Sequence, residues 1–380
     1  MRGIRRAARF GISWARGRAP VQKVRRTIDG EEAPLLVDVY FPRACSGSAQ
    51  GVPASAGAEA ASSRLPGWIV LHGITRPGPA HPSLVRFAGA LASTGAVVMI
   101  PEIPAWRALE LAPERTAPAV RACLRALRTG GEREERRVGV VGFSFGGPQA
   151  LACSREGEGC ERLSGAVSWG GYADLERTLR FQFTGRHEWG GRRHRGRPDP
   201  YGRWIVGANL LTETRKFADA DDVARSLHTL AATAGDRGAP SWDPCYDPTK
   251  RTLRQEVAPS RRDLFDLFAP PSERHPPDDE AEEVVRLLSA AASRRPLLDA
   301  RPHLAEVRIP VRLLHARDDR LIPFTESLRI ADALPAGTDA RSSVTGLFTH
   351  SGQSRGSHVL RNVAETLQFG WAVRGVLGLV

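Results

Sequence analysis

Short, continuously apolar runs recur along this chain: "GWIVLHG" (67–73), "AVVMIPE" (96–102), "RVGVVGF" (137–143), "LSGAVSW" (163–169) and "VRLLHAR" (311–317). Each is too short for a buried helix and too uniform for a strand with one wet face. Runs of this kind suit strands buried on both faces of a parallel sheet. "LLVDVYFP" (35–42) alternates instead, and "SSVTGLF" (342–348) is a weaker last member. Helix-like stretches separate them at 82–94, 114–129, 145–154, 324–334 and 357–377. The alternation predicts an α/β fold: a mostly parallel central sheet flanked by helices, joined by right-handed crossovers.

The pattern breaks between 172 and 305. Helical patches near 203–217, 220–234, 249–268 and 279–293 are joined there by loops such as "GRHEWGGRRHRGRPDPYG". The strand pattern resumes afterwards, which favours a mainly helical lid or cap inserted between two strands over an independent domain. The expected organisation is 1–28, a basic amphipathic arm; 29–171, the first part of the core; 172–305, the cap; and 306–380, the rest of the core.

A net charge of +12 raises nucleic acid as a partner, but its placement argues against it. Residues 1–28 hold eight Arg and one Lys with no acid before Asp29, and the remaining 45 basic and 42 acidic residues leave only +3. Within 4–18, Ile4, Ala7, Ala8, Gly11, Trp14 and Ala15 share one helical face, with Arg2, Arg5, Arg6, Arg9 and Arg16 opposite. Two readings follow: a solvated, frayed arm, or an interfacial helix in weak contact with an anionic membrane surface. No apolar segment follows the early charges as a secretory signal requires, so the expectation is a cytoplasmic protein, at most peripheral to a membrane. Five cysteines without a CxxC pair argue against a disulfide framework; Cys153 and Cys160 are the pair a local bridge would use.

The run ending at Gly142 leads into the chemistry. Gly142-Phe143-Ser144-Phe145-Gly146 has the form G-x-S-x-G between a buried strand and a helical stretch. A serine at a very sharp strand-to-helix turn is pushed out of the sheet edge, and the residues two before and two after must be small because the backbone closes on itself there. A phosphate loop is the competing reading; it lacks GK[ST], and no G-x-G-x-x-G opens a βαβ unit.

A serine hydroxyl needs a general base, and the base needs an orienting acid. Of the ten histidines, His350 follows the last predicted strand, on the loop that reaches the C-terminal edge of the sheet. His358 is the alternative, at the entrance to the final helix. His315 lies inside a predicted strand and reads as structural. His81, His187, His194, His228, His275 and His303 read as solvated or locally bonded. "LLHARDDRLIPF" (313–324) offers Asp318 and Asp319 at the end of a strand, and either could instead cap the helix that follows.

With these residues in place, the chain resembles the α/β-hydrolase superfamily over roughly 35–170 and 305–378. The resemblance implies a triad in the chain order nucleophile, acid, histidine, here Ser144, Asp319 and His350. "LLHARDDRLIP" is similar to the family's acid loop with Ala316 in a glycine place, which selects Asp319. His72-Gly73-Ile74 stands where the family carries its oxyanion loop. The implied donors are the backbone N–H groups of Phe145 and Ile74, each worth about 3–4 kcal/mol of barrier. His72 is then a loop-positioning residue, and Phe143 packs beneath the elbow.

The expected activity is hydrolysis of a carboxylic ester, with a small-molecule or lipid-like substrate and no metal or organic cofactor. Amide or thioester cleavage, acyl transfer, and a non-catalytic binding module on the same fold are the alternatives. In the cap, Phe181, Phe183, Trp189, Tyr201 and Trp204 either line an acyl pocket or form the cap's own core. Arg186, Arg192, Arg193, Arg195 and Arg197 make a basic loop.

Overall fold

The computed structural model describes residues 2–43, 65–128, 136–346 and 359–380, apart from positions 156, 161, 273 and 275. Eight strands form the central sheet: β1 (Val21–Ile28), β2 (Leu35–Pro42), β3 (Gly67–Leu71), β4 (Val97–Pro101), β5 (Val138–Phe143), β6 (Leu163–Trp169), β9 (Val311–Ala316) and β10 (Ala340–Thr345). β7 (Arg186–Trp189) and β8 (Arg192–Arg195) pair separately as a hairpin. The sheet order is β1-β2-β4-β3-β5-β6-β9-β10. β1 and β2 run antiparallel to their neighbours, and every pairing from β4 to β10 is parallel.

The continuous apolar runs are the central strands, because both of their faces are covered. Ile69 and Leu71 of β3 enter one core, and Trp68 and Val70 enter the other. Successive side chains on a strand point to opposite faces, so a strand between two layers of helix has no wet position. The edge strand β1 has no fully buried residue. Its Lys23 and Arg25 both reach the buried carboxylate of Asp38 on β2, at 2.8 and 2.9 Å.

The longer helices are α1 (Arg2–Arg16), α2 (Pro82–Ala92), α3 (Thr116–Arg128), α4 (Gly146–Ala152), α5 (Leu175–Thr184), α6 (Tyr201–Leu210), α7 (Asp221–Arg237), α8 (Asp247–Glu256), α9 (Arg262–Phe268), α10 (Asp278–Ala292), α11 (Thr325–Ala333) and α12 (Val359–Leu377). α2, α12 and α1 cover one face of the sheet, where Phe87 and Phe369 meet Trp169 and Phe10 packs on both of them. α3 and α4 cover the other, and the apolar side chains of the cap, including Trp204, Phe265 and Leu288, continue that same core. Among the described residues no helix is long and apolar enough to cross a membrane.

Residues 1–28 are not a solvated arm. They contain α1, packed against α2 and α12, and the edge strand β1. The face assigned to α1 from its sequence also needs correction. Phe10 and Ser13 are buried, Arg6 turns inward to donate to the Leu377 and Val380 carbonyls, and Ile4, Ala8 and Ala15 point outward. Phe10, outside the apolar set first assigned to α1, is its anchor.

The cap holds more than the four expected helices. α5 precedes them, and the stretch 249–268 is divided into α8 and α9 around Pro259. The basic loop is the β7–β8 hairpin, turned by Gly190 and Gly191 at φ 54° and 73°. A two-residue turn with both φ positive is the type I′ form that glycine pairs favour, so "EWGGRR" carried a hairpin signal. Cys153 and Cys160 are buried free thiols.

Candidate functional site

Ser144 stands between β5 and α4 with φ 51°, one of only two non-glycine residues at positive φ among the described residues. Its N–H donates to the Trp169 carbonyl at the end of β6, and its carbonyl accepts from Gly147, both at 2.9 Å. These bonds hold the turn from each side. A Cβ on Gly142 would lie 1.8 Å from the Gly146 carbonyl oxygen, and one on Gly146 would lie 3.0 Å from the His72 carbonyl oxygen. Both glycines are therefore required by the backbone's approach to itself and to the end of β3.

The two phenylalanines flanking Ser144 go to opposite sides of the sheet. Phe143 stacks on Trp169 at 5.4 Å and meets Phe87 edge-on at 4.9 Å, beneath the turn. Phe145 is buried against Trp106, 5.2 Å away. Neither the Phe145 nor the Ile74 N–H has an acceptor among the described residues. An added Cβ on Gly73 would fall 3.4 Å from Ser144 Cβ, so the 72–74 loop lies directly against the serine.

His72 is fixed in that loop by two bonds of opposite sense. The Ile103 N–H donates to Nε2 at 3.2 Å, so the ring proton sits on Nδ1 and is donated to the Gly73 carbonyl at 2.7 Å. Burial pushes the imidazole down to about 4. With its lone pair and its proton both engaged, His72 is a loop-positioning residue rather than a base.

The acid loop follows β9. Asp318 is exposed and Asp319 is buried. Asp319 Oδ1 accepts from the N–H groups of Leu321 and Ile322 at 2.9 and 3.1 Å, an Asx-type turn, and Oδ2 lies 3.5 Å from His315 Nε2. His315 is fully buried; Nε2–H donates to the Ile322 carbonyl at 2.9 Å and Nδ1 pairs with the Ser327 hydroxyl at 2.6 Å. It braces the loop from inside, in keeping with a structural role. β10 ends at Thr345, beside β9. His350 and His358 both lie outside the described residues, as does His275.

The cap contributes directly to this edge of the sheet. The Tyr201 hydroxyl donates to the Ile74 carbonyl at 3.3 Å, and burial raises the phenol, which keeps it a donor. Gln182 donates to the Leu321 carbonyl at 3.2 Å, and the Asp199 N–H donates to the Arg320 carbonyl at 2.7 Å. Glu326, almost fully buried, accepts from the N–H groups of Ala173 and Asp174, where the cap leaves β6. Tyr201 stood in the sequence only as a candidate for an acyl pocket or the cap's core, and Gln182, Asp199 and Glu326 carry no local signal, since each acts on a segment more than a hundred positions away.

Phe181, Phe183 and Trp204 are buried within the cap: Phe183 packs on Phe268, and Trp204 Nε1 donates to the Phe268 carbonyl. Phe183 and Trp204 belong to the core that runs on from the sheet, and Phe181 is buried beside the hairpin. Trp189 lies on the hairpin under Arg329. In the basic loop, Arg186 pairs with Asp278 and Arg197 donates to the Ser272 carbonyl. Among the described residues no cluster of His, Cys, Asp or Glu is arranged to hold a metal ion.

A parallel sheet entered by two antiparallel strands, a strained serine after β5, an acidic loop after β9 and a helical insertion between β6 and β9 decide the architecture. This is the α/β-hydrolase fold. No protein-family model matches this chain, and a search of curated proteins finds no match. Solved structures similar to it include the Pyrococcus horikoshii acylaminoacyl peptidase, at 14% identity and a TM-score of 0.44, covering 93% of this chain and 41% of that one. The Pyrococcus furiosus esterase Pf2001 is similar at 13% identity and a TM-score of 0.43, covering 94% and 89%. Est1E from Butyrivibrio proteoclasticus follows at 10% identity and a TM-score of 0.43, covering 92% and 98%. The chain thus spans about two fifths of the peptidase and nearly the whole of the two smaller proteins.

Proposed function

We propose that this chain is a serine hydrolase that cleaves a carboxylic ester through an acyl-enzyme intermediate. The observation that carries the reading is Ser144, held at φ 51° on a glycine-built turn beside two backbone N–H groups that lack an acceptor among the described residues. Strain of this kind persists where the surrounding structure over-determines it, and it is characteristic of functional sites.

In the proposed reaction Ser144 Oγ attacks the acyl carbon and passes its proton to His350. The carbonyl oxygen takes the negative charge, and the N–H groups of Phe145 and Ile74 stabilise it. The intermediate collapses, the bond to the alkoxide breaks, and His350 protonates the leaving alcohol. A water then attacks the acyl-serine with His350 again as base, releasing the acid and restoring the serine. Asp319 orients the imidazole and stabilises its charged form. No step requires a cofactor.

Labelling the full chain with a fluorophosphonate probe, followed by peptide mapping, tests the nucleophile. The modification is expected on Ser144; labelling of another serine, or none in folded protein, overturns the assignment. The base is tested with p-nitrophenyl butyrate. His350→Ala is expected to abolish turnover and His358→Ala to retain most of it, and the reverse result moves the base to His358.

A further inference from the structure

Ile4, Ile12, Leu367 and Trp371 are four of the five large apolar side chains that the described residues expose, at 62%, 52%, 61% and 64%. The fifth, Leu36, is on β2. All four belong to α1 and α12, which pack on each other on one face of the sheet. A soluble surface carries single exposed apolar residues without consequence, but their concentration on one pair of helices marks a contact site.

The charges on the same surface indicate what it contacts. On the outward side of α1, Ile4, Ala8, Ile12 and Ala15 form a stripe, and Arg5, Arg9 and Arg16 form a second stripe beside it. The inward side, around Phe10, is used by the fold. Arg374 of α12 lies against Gly3 and stacks over the Trp371 ring at 4.8 Å, which joins the two helices into one surface. None of Arg5, Arg9, Arg16 or Arg374 forms an ion pair among the described residues, whereas Lys23 and Arg25 of β1 are paired with acids.

We infer that the α1–α12 face docks this protein on an anionic lipid surface. Unpaired arginines meet the phosphate layer, while Ile4, Ile12, Leu367 and the amphipathic ring of Trp371 enter the interface between headgroup and acyl chain. A second copy fits the face less well, because α1 contains no acidic residue to oppose the arginines of a facing α1. The inference does not depend on the reaction proposed above.

The test is co-sedimentation of the full chain with phosphatidylcholine vesicles and with vesicles in which part of that lipid is replaced by phosphatidylglycerol. Binding is expected only with the anionic vesicles and should weaken as salt is raised. Arg5→Gln combined with Arg9→Gln should weaken it by about tenfold or more. Ile4→Ser with Trp371→Ser should abolish it. All four positions are exposed, so thermal unfolding and far-UV circular dichroism are expected to match the parent and to certify folding. Equal binding to both vesicle types, no binding to either, or binding unaffected by these variants overturns the inference. So does a dimer in light scattering that Trp371→Ser dissociates, since the face would then belong to a second copy.

Discussion

The serine turn and the acid loop reach the same edge of the sheet by opposite means. The turn is shaped by missing side chains: Gly142 and Gly146 let three backbone segments close on one another. The acid loop is shaped by side chains that replace backbone pairing, with Asp319 collecting two N–H groups and His315 holding Ile322 and Ser327. Adding an atom should damage the first, and exchanging a polar atom should damage the second.

The largest effect is expected at the acid loop. Asp319→Asn retains an oxygen for the Leu321 and Ile322 N–H groups but loses the charge that we propose orients the base. We expect turnover of p-nitrophenyl butyrate to fall by about 10⁴-fold, with little change in thermal midpoint. A variant of near-normal activity would remove Asp319 from the reaction and leave it as a turn residue.

Gly142→Ala exchanges the pattern of loss. Its methyl would meet the Gly146 carbonyl at 1.8 Å, so the backbone of the turn must move. A stability cost of about 3 kcal/mol in denaturant unfolding is expected, together with loss of fluorophosphonate labelling. Parental stability with intact labelling would break the contrast between the two loops.

His72 supplies a pH-dependent version of the comparison on the serine side. Burial lowers it to about 4 in the folded chain, against an ordinary value near 6.5. The unfolded chain binds the proton first as pH falls, so this contribution is fully present above about 6.5 and is lost on the way down to 4. It amounts to about 3 kcal/mol. Thermal midpoints measured across that window should drop less steeply for His72→Gln than for the parent. Equal slopes would mean that His72 does not carry the effect.

The smallest expected effect is at the bridge from Tyr201 to the 72–74 loop. Tyr201→Phe removes one hydrogen bond to the Ile74 carbonyl, a change of about 1 kcal/mol. We expect kcat to fall several-fold while KM for a small ester stays near its parental value. A rise in KM alone would assign Tyr201 to substrate contact instead.

How much was legible in advance follows the range of the forces involved. The buried strands were readable because covering both faces leaves a local trace, an unbroken apolar run. The serine turn was readable because its steric requirement falls within five residues. β1 escaped notice because an edge strand with one wet face and three basic residues resembles a solvated tail. The burial that separates Asp319 from Asp318 was not readable from adjacent residues of the same type. It goes with contacts to His315, four positions earlier, and with Gln182 of α5 and the Asp199 backbone bonding to the loop.

The amino-acid sequence by itself determined the α/β architecture, the mainly helical stretch between β6 and β9 and the serine at the end of β5, since periodicity and local sterics act between near neighbours. Only the tertiary structure decided which side of α1 is inside, because Phe10 is buried by Phe87 and Phe369 from remote parts of the chain. It likewise decided that Phe181, Phe183 and Trp204 are buried while Tyr201 reaches the 72–74 loop. An aromatic residue advertises that it will be buried; the partner that buries it is chosen by packing between distant segments.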